Sequence, residues 1–270
     1  MDNAPLIPRP SPALADLFTP DRHEEIAFWC DLAMGYGRLV INWHCGTGEV
    51  AIGLARRGLR VVGVDPDLEA IEVARARHAA LDDPDSLLLT WMCHEPRLIG
   101  LPGQADFAVL SGDCLGNYLI DDNRAGLFAN AYHHLRPGGA LGMTVPLAPP
   151  SGVMHNTYIS GPLRRVPKGV FARRVSTLRY DAAQSVLSGR DEVLVRLPDG
   201  EQRFQDSYSR RLYAPAEIFA LLREAGFVAI GMWGGWDRRR LRAASTAFIV
   251  RAERPLTRLV GRNPDRKVLD

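Results

Sequence analysis

A glycine-rich stretch in the first quarter of the chain constrains the fold more than any other sequence feature. An apolar run at residues 40–44 leads into Gly46 and Gly48, and helical spacing of apolar residues follows as far as Gly58. Such glycines let a backbone pass close to a ligand, and the helix that follows offers unpaired N–H groups. Asp65 ends the next apolar run, where its carboxylate can accept hydrogen bonds from both hydroxyls of a ribose. Together these residues favour a cofactor that contains adenosine.

Short apolar runs alternate with helical patterns along the first half of the chain. Strands are predicted at 38–44, 59–65, 87–92, 105–110 and 140–145, and helices at 21–34, 50–57, 67–80 and 123–135. A further helix at 215–225 and strands at 227–233 and 245–251 follow nearer the C-terminus. This order predicts an α/β fold, a Rossmann-like doubly wound seven-stranded sheet that is mostly parallel with an antiparallel edge strand.

The pattern changes between the fifth strand and the last helix. Residues 147–170 are rich in proline and glycine and read as a long loop, and three β-like segments follow at 171–180, 186–197 and 201–210. Turn residues join these segments, so an antiparallel β lid is expected, inserted into the α/β unit. The predicted organisation is an N-terminal helical segment (1–26), a core (27–147), a lid (148–210), a second part of the core (211–252) and a tail (253–270).

Composition excludes several classes of protein. No stretch of about 18 uncharged apolar residues occurs, so no membrane span is expected. The N-terminus lacks the pattern of a secretory signal, and the four cysteines are scattered, which favours a reducing cytoplasm and argues against a zinc site or a disulfide framework. The net charge of +2 argues against nonspecific nucleic-acid binding.

The motifs as a set resemble those of the class I S-adenosylmethionine-dependent methyltransferases that act on small molecules. Residues 40–48 resemble the VLDxGCGTG motif of that family, and 61–65 resemble its second motif. The segments 107–110 and 135–139 resemble its fourth strand and the turn before its fifth. A nicotinamide dehydrogenase is disfavoured because the third glycine of GxGxxG is missing.

The resemblance implies S-adenosylmethionine as the cofactor and names the residues that bind it. Gly46 and Gly48 lie along the cofactor, Asp65 holds its ribose, and Ser111 lines its site after the fourth strand. Glu95 either binds the adenine amino group, as the acid at this place in the family does, or is a solvated acid of a loop. A slip of one residue in the alignment would give that role to His94.

Two residues depart from the family pattern at the first motif. Asn42 stands where the family has an acid, and His44 stands where it has a glycine close to the methionyl part of the cofactor. His44 either contacts the cofactor or points away into a polar niche. Asn42 either alters the cofactor contacts or only satisfies the end of the strand.

The catalytic candidates are Asp113, Tyr118 and His155. Asp113 is a candidate general base or a turn cap, and Tyr118 either closes over the methyl group or packs in the core. His155 lies in the long loop, where it is a candidate to line a lid over the acceptor. His133 and His134 are expected to be surface or packing residues.

The sequence therefore predicts an enzyme that moves a methyl group from S-adenosylmethionine to a nitrogen or oxygen atom of a small molecule by in-line displacement. The Asn/Asp-Pro-Pro-Tyr/Phe motif of enzymes that methylate DNA bases or glutamine side chains is absent. The alternative is a methyltransferase-like protein that binds the cofactor, or another adenosine ligand, without methyl transfer. The inserted meander is expected to shape the acceptor site, or to serve as the surface of a homodimer.

Overall fold

Helices and strands alternate through most of the computed structural model, which describes residues 7–112, 114–148, 157–166, 170–242 and 245–256. The helices are α1 (Pro12–Asp16), α2 (His23–Tyr36), α3 (Glu49–Ala55), α4 (Leu68–Ala79), α5 (Asp121–His134) and α6 (Pro215–Glu224). The first five strands are β1 (Leu39–Trp43), β2 (Arg60–Asp65), β3 (Leu89–Cys93), β4 (Ala105–Leu110) and β5 (Leu135–Pro146). Those that follow are β6 (Thr157–Ser160), β7 (Arg164–Val166), β8 (Val170–Asp181), β9 (Val186–Leu197), β10 (Gly200–Arg211), β11 (Val228–Trp233) and β12 (Ala247–Glu253).

Seven of these strands form the larger sheet, in the order β11-β12-β5-β4-β1-β2-β3. β1 to β5 are mutually parallel, whereas β12 runs antiparallel to both of its neighbours. The α/β prediction is confirmed, but the antiparallel strand lies inside the sheet and not at its edge. The reason is burial: Phe248 and Val250 of β12 are fully buried, whereas most of β11 is half-exposed, so β11 takes the edge.

Helices cover both faces of this sheet, and each face has its own core. On one face α5 and α6 pack on the strands through Phe128 and Leu222. On the other, α2 and α3 pack through Trp29 and Leu54. A sheet buried on both faces explains why its strands read as continuous apolar runs.

The fifth strand begins earlier than the sequence suggests. Leu135 already pairs with Ala105, and regular pairing resumes where Ala140 meets Phe107. The residues between them, predicted as a turn before the strand, form an irregularity within β5. The local sequence does not predict the early start of β5, because Leu135 is held there by pairing with Ala105 of β4, thirty residues earlier in the chain.

Asp106 fastens the start of β1 to β4 and β5. Its Oδ2 accepts the backbone N–H groups of Arg38 and Leu39, both at 2.9 Å, and its Oδ1 accepts Nε of Arg136 at 2.6 Å. Burial alone would raise the pKa of this carboxyl, but the Arg136 hydrogen bond and the two backbone N–H groups outweigh burial and lower it.

We expect Asp106→Asn to lower the free energy of unfolding at pH 7 by about 1–3 kcal/mol, because two or three hydrogen bonds to a charged group are weakened. A lowered folded-state pKa contributes stability that is present above the unfolded pKa and is lost as the pH falls through the folded pKa. The difference between variant and wild type is therefore expected to shrink below about pH 4. Urea unfolding at pH 7 and at acid pH measures it, with exposed Asp82→Asn as the control. An equal loss at both pH values would contradict the charge argument.

The second sheet is the predicted lid. It is antiparallel with the order β10-β9-β8-β6, and β7 also pairs with β8. Three of its strands were predicted, but β6 and β7 lie in the stretch that the sequence suggested was only a long loop. They are short and pair along one edge of β8. Where the chain leaves the core for the lid and returns from it, Leu147 and Tyr213 form a parallel β-bridge.

Candidate functional site

Asp65 and the glycine-rich turn form one hydrogen-bonded unit at the carboxyl ends of β1 and β2. Oδ2 of Asp65 accepts the backbone N–H of Gly46 at 2.8 Å, and Oδ1 accepts that of Asp67 at 2.9 Å. Gly46 and Gly48 have φ values of +54° and +86°, which side chains other than glycine rarely adopt. A Cβ added at Gly48 would lie 2.5 Å from the Trp91 ring. The sequence folds this way because the backbone conformation at both positions favours glycine, and at Gly48 the Trp91 ring leaves no room for a side chain.

A cleft of about 810 Å³ opens at this edge of the sheet. Most of the residues predicted to bind the cofactor or act in catalysis line it: His44, Gly46, Asp65, Glu95, Ser111 and Tyr118. Gly48 lies behind the turn, against Trp91 and Ala74. Asp113 and His155, two of the three catalytic candidates, lie outside the described residues.

His44 points into the cleft and belongs to a chain of three side chains. Its Nε2 lies 2.6 Å from the Tyr118 hydroxyl, which in turn donates to Oε1 of Glu95 at 2.9 Å. Burial lowers the pKa of His44, while the Asp65 and Glu95 carboxylates oppose that shift. Burial and the hydrogen bond to Glu95 raise the pKa of Tyr118 well above its ordinary value. His44, Tyr118 and Glu95 all line the cleft, and contact between His44 and the cofactor stays a prediction.

Asn42 is fully buried and does not line the cleft. Its Nδ2 lies 3.3 Å from the carbonyl oxygen of Val109, 3.4 Å from that of Trp43 and 3.2 Å from Oγ of Ser111. A carboxylate in place of the amide would bring a negative oxygen against two carbonyl oxygens, and of these three neighbours only the Ser111 hydroxyl could donate to it. The amide nitrogen thus satisfies the ends of two strands and holds Ser111 in place, while Oδ1 of Asn42 is buried without a hydrogen-bond partner among the described residues.

The N-terminal segment forms a wall of the cleft that the sequence did not reveal. Asp16 accepts the hydroxyl of Thr47 at 2.5 Å and an ion pair from Arg77 at 2.8 Å. Two residues later, Phe18 is buried against the lid residues Ala172 and Val193. These contacts join distant parts of the chain, so no local pattern could have shown them.

The lid and α2 contribute further residues to the cleft. Arg174 and Arg210 of the lid line it, and Arg22 lines it beside Gly112. Burial raises the pKa of Glu25, and Arg22, the Trp29 indole and the backbone of Gly112 oppose that shift. Arginine is so frequent in this chain that Arg174 does not stand out in the sequence, whereas Arg210 and Arg211 are residues that would suit a carboxylate-bearing acceptor.

The two histidines of α5 are a packing residue and a surface residue, as predicted. His134 is buried, and its Nε2 accepts the backbone N–H of Leu101 at 2.9 Å. His133 is exposed. Within the described part of the chain, no group of three or more histidine, cysteine or acidic side chains is placed to hold a metal ion.

The residues of the cleft fit an adenosine-containing cofactor. Each oxygen of Asp65 accepts one backbone N–H and keeps a lone pair for a ribose hydroxyl. Oε2 of Glu95 makes no hydrogen bond to any residue that the structure describes, so it can accept from an exocyclic amine. At Gly46 an added Cβ would meet nothing within 4 Å, which leaves open space above the turn.

Comparison with known proteins supports this interpretation. A family model described as a methyltransferase domain matches residues 40–139. A curated relative, "Putative methyltransferase YqeM" of Bacillus subtilis (strain 168), is 24% identical over 223 residues, which cover 78% of this chain and 82% of that protein.

Solved structures share the fold over nearly the whole chain. The CcbJ methyltransferase from Streptomyces caelestis matches with a TM-score of 0.72 and 22% identity, covering 88% of this chain and 90% of that one. CalS10 from Micromonospora echinaspora, an amino pentose methyltransferase solved with S-adenosylmethionine bound, matches with a TM-score of 0.70 and 20% identity. That match covers 89% of this chain and 95% of CalS10. In addition, no helix among the described residues is long and apolar enough to cross a membrane.

Proposed function

We propose that this chain, which belongs to the class I S-adenosylmethionine-dependent methyltransferases, transfers the methyl group of its cofactor to a nitrogen or oxygen atom of a small molecule. The observation that carries the proposal is that both the core and the second sheet line the cleft. Asp65 and Glu95 come from the core, and Arg174 and Arg210 come from the second sheet. The core residues suit an adenosine, and the residues of the second sheet are left for an acceptor.

Different residues of the cleft are proposed to bind different parts of the cofactor. Asp65 holds the ribose, Glu95 holds the adenine amine, and the turn at Gly46 lets the cofactor approach the backbone. When bound, S-adenosylmethionine supplies a methyl group that a nucleophile attacks in line with its bond to sulfur. The protein aligns the acceptor and excludes water. Ser111, held by Asn42, is proposed as a further cofactor contact.

The predicted division of the chain gives each part a role. The core, 27–147 with 211–252, binds the cofactor, and the lid, 148–210, selects the acceptor. The N-terminal segment, 1–26, links the two, because Asp16 contacts the core and Phe18 contacts the lid. The tail, 253–270, has no role in this proposal.

The first acceptors to test are small molecules that carry an amine on a sugar ring. CalS10 is an amino pentose methyltransferase. KedS8 from Streptoalloteichus sp ATCC 53650, a fold neighbour with a TM-score of 0.74, is a sugar N-methyltransferase. Phenols and carboxylic acids form the oxygen-acceptor arm of the same panel.

Calorimetry with S-adenosylmethionine and S-adenosylhomocysteine, followed by mass spectrometry of the acceptor panel, tests the proposal. We expect both adenosyl compounds to bind and at least one acceptor to gain the mass of one methylene unit. Tight binding without transfer to any acceptor would favour the alternative, a cofactor-binding protein that does not methylate. Absence of binding would contradict the proposed site itself.

A further inference from the structure

We propose that His44, Tyr118 and Glu95 form a proton relay in which Nδ1 of His44 takes the proton that the acceptor loses during methyl transfer. The inference rests on the proposed function, because it assigns a proton acceptor to that reaction. His44 is not among the catalytic candidates that the sequence suggested. The case is built on two hydrogen bonds in the cleft and on the order of the strands that carry these residues.

The hydrogen bonds determine which nitrogen of His44 is free. The Tyr118 hydroxyl has one proton and donates it to Oε1 of Glu95 at 2.9 Å. The same hydroxyl oxygen lies 2.6 Å from Nε2 of His44, so Nε2 must carry the proton of that hydrogen bond. Nδ1 is then the unprotonated nitrogen, and it makes no hydrogen bond to any described residue. A lone pair on a cleft-lining side chain is thereby left for a ligand.

The strand order places this lone pair near the reacting end of the cleft. β3, β2, β1 and β4 are adjacent in that order, with a spacing of about 4.8 Å between neighbours. Glu95 follows β3 and Asp65 ends β2, so an adenosine bound to both carboxylates lies over those two strands. The remainder of the cofactor then extends towards His44 at the end of β1 and Ser111 at the end of β4.

The charges around His44 suit a neutral base at pH 7. Burial lowers its pKa, and the facing carboxylates of Asp65 and Glu95 oppose that effect. The other titratable groups around it include the buried Cys45 thiol, whose pKa burial raises, and the Tyr118 hydroxyl. The Cys114 thiol lies 4.0 Å from the carbonyl oxygen of His44, and the Arg97 guanidinium lies 3.9 Å from Oε1 of Glu95. Because the pKa of Tyr118 is raised by burial and by Glu95, this hydroxyl passes a proton on and does not remain ionised.

The step balances as a displacement coupled to a proton shift. The lone pair of the acceptor forms the new bond to the methyl carbon, and the carbon–sulfur bond breaks with its electron pair going to sulfur. The acceptor proton goes to Nδ1 of His44, the Nε2 proton goes to Tyr118, and the Tyr118 proton goes to Glu95. Glu95 is half-buried and returns its proton to water.

The hydrogen-bond pattern can be tested on the protein alone. Nitrogen-15 NMR of histidine-labelled protein reports which ring nitrogen of His44 is protonated. We expect the Nε2–H form in the wild type and a mixture of the two forms in Tyr118→Phe, which removes the acceptor oxygen. An Nδ1–H form in the wild type would overturn the relay, whether or not an acceptor has been identified.

Kinetics with an acceptor from the panel tests the role of the relay in catalysis. Asparagine tolerates the φ of +50° observed at His44, but its side chain cannot take a proton. The substitution His44→Asn therefore removes the proposed base without straining the backbone. We expect kcat to fall by about 10²–10⁴-fold while the calorimetric affinity for S-adenosylhomocysteine changes only a few-fold. In the wild type, kcat should rise with pH as His44 loses its proton, with a midpoint below the ordinary histidine pKa of 6.5. This rise on the acid side of the pH profile should be absent from the variant.

The exposed His133→Gln serves as the matched control and is expected to behave as wild type. Unchanged kcat and an unchanged acid limb in His44→Asn would overturn the relay. Failure of the wild type to methylate any acceptor would instead contradict the proposed function, and the NMR result would still decide the hydrogen-bond pattern.

Discussion

Replacing Asp65 by alanine is expected to weaken binding of S-adenosylmethionine by at least about 100-fold. The carboxylate is proposed to accept both ribose hydroxyls, and a hydrogen bond to a charged group contributes about 1.5–3 kcal/mol. The loss of two such bonds corresponds to a 10²–10⁴-fold change, at about 1.4 kcal/mol for each factor of ten. Titration calorimetry of the variant and the wild type measures it.

The same substitution is expected to affect the fold. The backbone N–H groups of Gly46 and Asp67 both donate to Asp65, and alanine leaves them without that acceptor. Asp65→Asn, which keeps one carbonyl oxygen, should lie between alanine and wild type in both affinity and thermal stability. Exposed Asp82→Asn is the control. Wild-type affinity in a folded Asp65→Ala variant would remove Asp65 from the site.

The second large effect is expected at Gly48. Its φ of +86° costs a side-chain-bearing residue about 1–2 kcal/mol. The added methyl would lie 2.5 Å from the Trp91 ring and 3.0 Å from Cβ of Ala74, and such overpacking costs about 1–3 kcal/mol. We therefore expect Gly48→Ala to lower the free energy of unfolding by about 2–5 kcal/mol and to impair cofactor binding.

A double-mutant cycle separates the two causes. Trp91→Leu removes the ring that the new methyl would strike but does not change the backbone angle. If overcrowding matters, Gly48→Ala should cost less in the Trp91→Leu background than in the wild type, and the difference is the coupling energy. Urea unfolding measures all four proteins. Equal costs in both backgrounds would assign the effect to the backbone conformation and the Ala74 contact, and not to the Trp91 ring.

The part of the site that the sequence predicted best is the part with a local signature. Gly46 and Asp65 stand out because positive φ angles demand glycine and because a strand-ending carboxylate is unusual in an apolar run. The alternating elements of the core were predicted for the same reason, since buried parallel strands and amphipathic helices have different periods.

The rest of the site depends on contacts between distant residues. The direction of the His44 side chain is determined by Tyr118, which lies 74 residues further along the chain. The wall formed by Asp16 and Phe18 depends on Thr47 and on a lid sheet that begins after residue 156. Leu14, Leu17 and Phe18 have the spacing of one apolar face, but that spacing does not show that they pack against the second sheet. The position of β12 inside the sheet likewise follows from which strand buries more apolar surface.

The β-bridge between Leu147 and Tyr213 bears on how this enzyme family could acquire new acceptors. The chain leaves the core and returns to it at neighbouring points, and Ala148 also donates its backbone N–H to the carbonyl of Tyr213 at 3.3 Å. Segments with adjacent ends can be inserted or exchanged without rearranging their host. The second sheet can therefore be treated as a replaceable unit: a loop of a few residues across the bridge would close the core, and another β-sheet grafted there would replace one wall of the cleft while the Gly46–Asp65 turn stays in place.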